Sequence, residues 1–114
     1  MFEHQQLISC ALITNKKGEV LIAQRADKES YQADMLWELP GGKVEFGEDP
    51  AETAERETKE EVGVDITITK ALPHIASKVW QTTVGERHCV VLCYAADYTS
   101  GHPRPLDKKI HDVR

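Results

Sequence analysis

The stretch GKVEFGEDPAETAERETKEEVGV, residues 42–64, carries the signals of a helix and the surplus charge of the whole chain. Asp49 suits an N-cap, Pro50 the first helical position, Glu52 the third residue of a capping box, and Gly63 a left-handed stop. Together they predict a helix over residues 50–62, about 20 Å long at 1.5 Å per residue. At 100° per residue Ala51, Ala54, Thr58 and Val62 share one stripe that can pack. Glu57 and Glu61 share a neighbouring stripe, and Glu60 flanks them.

Residues 48–61 hold seven acids (Glu48, Asp49, Glu52, Glu55, Glu57, Glu60, Glu61) against two bases, Arg56 and Lys59. That surplus of five equals the formal charge of −5 for all 114 residues, so the rest of the chain is neutral. A solvated acidic face is the ordinary account of such a helix. Two features oppose it. Glu60 and Glu61 stand in the last turn, beside the negative end of the helix dipole, where an acid is disfavoured by ~0.3–1 kcal/mol. Glu57 and Glu61 also repel one another a turn apart. A cation would relieve both penalties, and hard divalent ions such as Mg²⁺ or Mn²⁺ select carboxylate and carbonyl oxygens. Just upstream, Gly41 and Gly42 let backbone approach an ion or a phosphate closely.

Outward from the helix, Leu7–Ile13 and Val20–Arg25 are apolar, partly β-branched runs joined by TNKKGE, and read as two strands with a tight connection. LWELPGG reads as a short strand entering a loop, because Pro40 and the two glycines stop regular structure. After the helix, VDITIT alternates with period two, and Arg87–Tyr98 is a longer apolar run suited to the centre of a sheet. Strands, one helix, then more strands predict an α/β or α+β domain with a mixed sheet. The length suits one domain over residues 1–114.

With no basic face, nucleic acid and anionic membrane surfaces are not expected partners. No apolar run approaches the ~20 residues of a membrane span. Cys10, Cys89 and Cys93 are odd in number, lack CxxC spacing and lie in apolar runs, so they read as small buried hydrophobes in a reducing compartment, with the cytoplasm as default.

The order Gly42, Glu48, Arg56-Glu57, Glu60-Glu61, Gly63, Val64 resembles the Nudix box, with Thr58 where that family usually has an aliphatic residue. LIAQR, LWELPGGKVE and ERHCVVLCYAADYTSGHP extend the resemblance to the MutT-like nucleoside triphosphate pyrophosphohydrolases over most of the chain. It implies the family's α/β/α sandwich around a mixed sheet. Relatives continue with a Trp-containing strand and a carboxy-terminal helix, which are not visible before Arg114, so the expectation is a domain shortened at that end.

The same resemblance implies Glu57, Glu60, Glu61 and the Gly41 carbonyl as ligands of Mg²⁺ (or Mn²⁺), with Asp107 as a further metal-binding carboxylate. Glu57 is also the candidate for orienting or deprotonating the attacking water. Arg56, paired with Glu48, would hold loop and helix in register. Arg25 and Arg87 would bind phosphate, and Glu38, Leu39, Pro40 and Gly41 would line the substrate pocket. The implied reaction is water attack on a diphosphate linkage, most simply in a nucleoside triphosphate, modified or oxidised forms included, going to monophosphate and pyrophosphate. A nucleotide-binding regulator without turnover and a hydrolase of nucleotide sugars are the alternatives. The partner is a small nucleotide, and the working state a monomer or homodimer.

Overall fold

The computed structural model describes residues 2–114. Eight strands and one helix run in the order β1 (Phe2–Thr14), β2 (Ala23–Arg25), β3 (Trp37–Glu38), β4 (Gly41–Lys43), α1 (Pro50–Val62), β5 (Asp65–Ala71), β6 (Ala76–Thr82), β7 (Gly85–Ser100) and β8 (Ile110–Val113). Among the described residues α1 is the one helix, and none is long and apolar enough to cross a membrane.

The larger sheet has the order β4-β1-β7-β5, with β6 also on β7. β1 and β7 run parallel through the middle, while β4, β5 and β6 are antiparallel to their neighbours, so the sheet is mixed as expected. β7 is central because its length lets β6 pair with its first half and β5 with its second. A second sheet, β3-β2-β8, stands apart.

The helix forms over the expected residues. Asp49 is extended (φ −72°, ψ 133°) and its side chain accepts from the Ala51 N–H, while Gly63 closes the helix at φ 76°, a left-handed conformation that glycine adopts without a Cβ penalty. The return bond of a capping box, from Asp49 N–H to Glu52, is not made among the described residues. The helix packs one stripe on the sheet: Ala54 meets Ala11, Ile13 and Ala96, and these alanines let it approach closely. Its end is held by a second cluster, in which Val62 and Val64 pack on Ala23 and Ile110 of the smaller sheet.

Two local expectations are corrected. Val20–Arg25 is not one strand: Val20 makes only an isolated bridge to Thr14, and β2 begins at Ala23 in the other sheet. The backbone of Ile22 instead exchanges two 2.9 Å hydrogen bonds with Arg114, which draws this segment beside β8. Nor do the glycines end regular structure, for Gly41–Lys43 pairs with Ile8–Cys10 of β1. A side chain on Gly41 would overlap the backbone of Ser9 and Cys10, so that pairing requires its absence. β6 was not foreseen. Cys10 and Cys89 are buried, Cys93 is half-buried, and all three are free thiols.

Thr58 lies on the packed face with 0% exposure, and its hydroxyl finds no hydrogen-bond partner among the described residues. An unpaired buried hydroxyl carries its full desolvation cost, about 1–3 kcal/mol. Thr58→Val keeps the shape and removes that cost. Urea unfolding of this variant is expected to show a stability gain of about 1 kcal/mol with an unchanged m-value.

Candidate active site

The site is organised by where α1 meets β4. Helical spacing places Arg56, Glu57, Glu60 and Glu61 on adjacent turns, and the glycines of β4 give the carboxylates room. Gly42 faces Glu57 so closely that a Cβ would overlap its carboxylate. The Gly41 N–H donates to Glu61 Oε1 at 3.1 Å.

Arg56 is the cation of this region. Its Nε donates to Glu48 Oε2 at 2.7 Å and its Nη2 to Glu48 Oε1 at 3.0 Å, a bidentate fork tying the loop before the helix to the helix itself. Its Nη1 donates to Glu57 Oε1 at 2.9 Å and to Glu60 Oε2 at 3.1 Å. The Arg56 hydrogen bonds, helped by the Thr53 hydroxyl, hold the Glu48 carboxyl at about 2, and the same bonds raise Arg56.

Glu57 and Glu61 are treated differently by their surroundings. Burial raises the Glu57 carboxyl against the opposing pull of Arg56. Glu61 is only 9% exposed, and burial pushes it to about 8 despite the Gly41 N–H, with the charges of Glu57, Glu38 and Asp107 adding to the rise. The charges of three carboxylates, from α1, β3 and the loop before β8, therefore bear on Glu61. Asp107 is brought there by backbone: the N–H groups of Arg104 and Leu106 donate to Val62 O and Glu61 O, closing the loop over the helix end. Glu60 is drawn outward to Arg56 instead, its side chain 53% exposed.

Among the described residues no three His, Cys, Asp or Glu side chains converge tightly enough to hold an ion. Arg56 holds Glu57 Oε1 and Glu60 Oε2 through one nitrogen. The donor set still fits a hard cation. Glu61 is a buried acid whose neighbours are mostly other acids, Glu57 sits where glycine leaves space, and all donors are oxygens.

A second cluster adjoins the first. Arg25, at the end of β2, donates from Nε to Asp27 Oδ2 at 2.9 Å, and its Nη1 lies 3.3 Å from Glu38 Oε1. Arg87, 8% exposed on β7, donates from Nη2 to the same Asp27 oxygen at 3.1 Å. Glu38 links the clusters, since it pairs with Arg25 and its charge reaches Glu61. Leu39 is half-buried, while Pro40 is fully buried and its carbonyl accepts from Ala11 N–H at 2.9 Å, anchoring the turn between β3 and β4. Sequence reasoning missed Asp27. The available signal was an acid two residues beyond Arg25, at the start of a polar loop.

The NUDIX domain pattern matches residues 4–114. An 8-oxo-dGTP diphosphatase of Proteus vulgaris is 39% identical over 69 residues, covering 60% of this chain and 60% of that protein. A CTP pyrophosphohydrolase of Escherichia coli strain K12 is 43% identical over 58 residues, covering 51% of this chain and 42% of that protein. The chain thus spans about three-fifths or less of the length of these relatives. A MutT NUDIX hydrolase from Burkholderia pseudomallei superposes with a TM-score of 0.73 at 28% identity, over 97% of this chain and 81% of that one. With the box residues gathered at the junction of α1 and β4, and the pattern matched almost end to end, the chain belongs to the Nudix family, among its MutT-like members.

Proposed function

We propose that this chain is a divalent-metal-dependent pyrophosphohydrolase that converts a nucleoside triphosphate to the monophosphate and pyrophosphate. The observation that carries the proposal is Glu61, a buried carboxylate that accepts from the Gly41 N–H of the glycine strand and is raised by burial and by the charges of Glu57, Glu38 and Asp107. Such an acid is costly unless a cation or a proton joins it. The substrate class rests on the relatives, whose names specify 8-oxo-dGTP and CTP.

In this proposal Glu57, Glu60 and Glu61, with the Gly41 carbonyl and Asp107, would hold Mg²⁺, or Mn²⁺ in its place, and the ion when bound would neutralise phosphate oxygens and lower the pKa of bound water. Arg56 loosens its hold on Glu57 and Glu60 while its fork to Glu48 keeps the loop in register. Glu57, freed, takes the proton of the attacking water or orients it. Arg25 and Arg87 offer their remaining N–H groups to the phosphate chain. Glu38 and Leu39 border the space for the nucleoside, with Pro40 and Gly41 fixing the backbone beneath.

A panel of nucleoside triphosphates assayed for pyrophosphate release is expected to show turnover with Mg²⁺ and none with EDTA. Glu57→Gln and Glu61→Gln should each lower kcat/KM by about 10²-fold or more with the fold retained. Full activity in either variant refutes the assignment.

The pH dependence has a defined sign. Glu61 binds its proton more tightly in the folded chain, at about 8 against an ordinary 4.5, so the folded state holds more protons than the unfolded state between these values. The metal-free chain should therefore lose stability as pH rises from about 4.5 toward 8, seen as a falling Tm. Mg²⁺, which requires the deprotonated ligand, should raise Tm most at the upper end of that window. Glu61→Gln should flatten both responses, and a Tm independent of pH in the unsubstituted chain would contradict the burial argument.

A further inference from the structure

We infer that Asp27 is a positioning residue which locks the Arg25 and Arg87 guanidiniums into one preassembled cradle for the phosphate chain of the substrate. The inference rests on the reading of Arg25 and Arg87 given under Proposed function, and adds the group that makes two separate arginines act together.

The geometry is unusually complete. Asp27 Oδ2 accepts from Arg25 Nε at 2.9 Å and from Arg87 Nη2 at 3.1 Å, with Arg25 Nη2 at 2.8 Å. Its other oxygen, Oδ1, accepts from the backbone N–H groups of Glu29 at 2.9 Å and Ser30 at 3.2 Å. The Asp27 N–H is itself held by Asp34 Oδ1 at 2.9 Å. Every contact pins the carboxylate, whose side chain is 6% exposed. Burial alone would raise this acid, but the hydrogen bonds from Arg25, Arg87 and the Glu29 N–H, together with the Arg25 charge, hold it below its ordinary range.

The arginines come from distant parts of the chain and different sheets, β2 and β7. Two guanidiniums brought together without an intervening anion would repel, so a single carboxylate between them is what allows both to stay. Asp27 is the one acid that both arginines share, since Arg25 alone also pairs with Glu38 and Arg87 alone lies at long range from Glu29. Arg87 uses one nitrogen on Asp27, and its contact to Glu29 is a long 4.0 Å ion pair. Arg25 retains N–H groups beyond those given to Asp27 and Glu38. A chain of phosphates can take these donors in parallel.

A structural staple for the loop after β2 would use the same contacts, so the test must separate the two roles. Asp27→Asn retains an oxygen for the Glu29 and Ser30 N–H groups but cannot accept from both arginines. Binding of inorganic tripolyphosphate is measured by calorimetry in EDTA for the unsubstituted chain, Asp27→Asn, Arg87→Ala and the double variant, with thermal unfolding of each. The expected result is about a tenfold loss for Asp27→Asn, with the double variant within about twofold of Arg87→Ala. In nucleotide turnover the rise in KM should exceed the fall in kcat. The inference is overturned if the unsubstituted chain does not bind tripolyphosphate, if Asp27→Asn binds as tightly, or if the two losses multiply. Failure of nucleotide hydrolysis alongside the expected binding pattern would refute the proposed function and leave the cradle standing.

Discussion

The fork between Arg56 and Glu48 is the interaction on which the rest of the site depends. Seven acids lie within residues 48–61, and one guanidinium on α1 answers three of them, Glu48, Glu57 and Glu60. Its two short bonds to Glu48 fix the loop against the helix, and that fixes where β4 lies relative to α1. Among the described residues Arg56 gives no hydrogen bond to Glu61 one turn on, whose carboxylate accepts from the Gly41 N–H instead. The structure thereby separates acids that are neutralised by the protein from one that is not. Burial makes the difference large, since repulsion among carboxylates is poorly screened away from water.

The two glycines at the start of β4 convert this electrostatic pattern into space. Gly41 allows the strand to lie against β1, and Gly42 leaves the gap into which the Glu57 carboxylate projects. A side chain at either position would either unpair the strand or push the acid away. The carboxyl end of α1 is similarly constrained: its last carbonyls are taken by the N–H groups of Arg104 and Leu106, so capping the helix and delivering Asp107 are one event.

Much of this was legible in the residues. The helix bounds follow from Asp49, Pro50 and Gly63, which act locally and need no tertiary information. The central place of β7 follows from its long apolar run. The smaller sheet was not legible, because Ala23–Arg25 and Ile110–Val113 are short and find each other across most of the chain, a pairing set by the packing of Ala23, Val62, Val64 and Ile110. Glycine signals misled at Gly41 because a residue that breaks isolated strands is also the one that permits close strand approach. The packing role of Ala54 was readable from periodicity, but the outward turn of Glu60 was not, since it depends on which acids Arg56 reaches. Asp27 escaped because its importance lies in a contact with Arg87, sixty residues away.

Taken together, the charged groups form an alternating series across two sheets and a helix: Arg87, Asp27, Arg25, Glu38, Glu61 and, beyond the glycine gap, Glu57 and Arg56. The alternation fails at one place only, between Glu38, Glu61 and Glu57, where acids adjoin acids. At the other end one carboxylate, Asp27, is shared by two arginines. Under the proposed function the ligand offers anionic oxygens to the arginine donors and brings positive charge to the carboxylates. A polyphosphate accompanied by a divalent cation has that polarity, whereas a free cation or a free anion would satisfy only half of it. The surplus charge of residues 48–61 is in this sense one side of a complementarity whose other side is Arg25 and Arg87, and Glu38 is the residue through which the two halves are in contact.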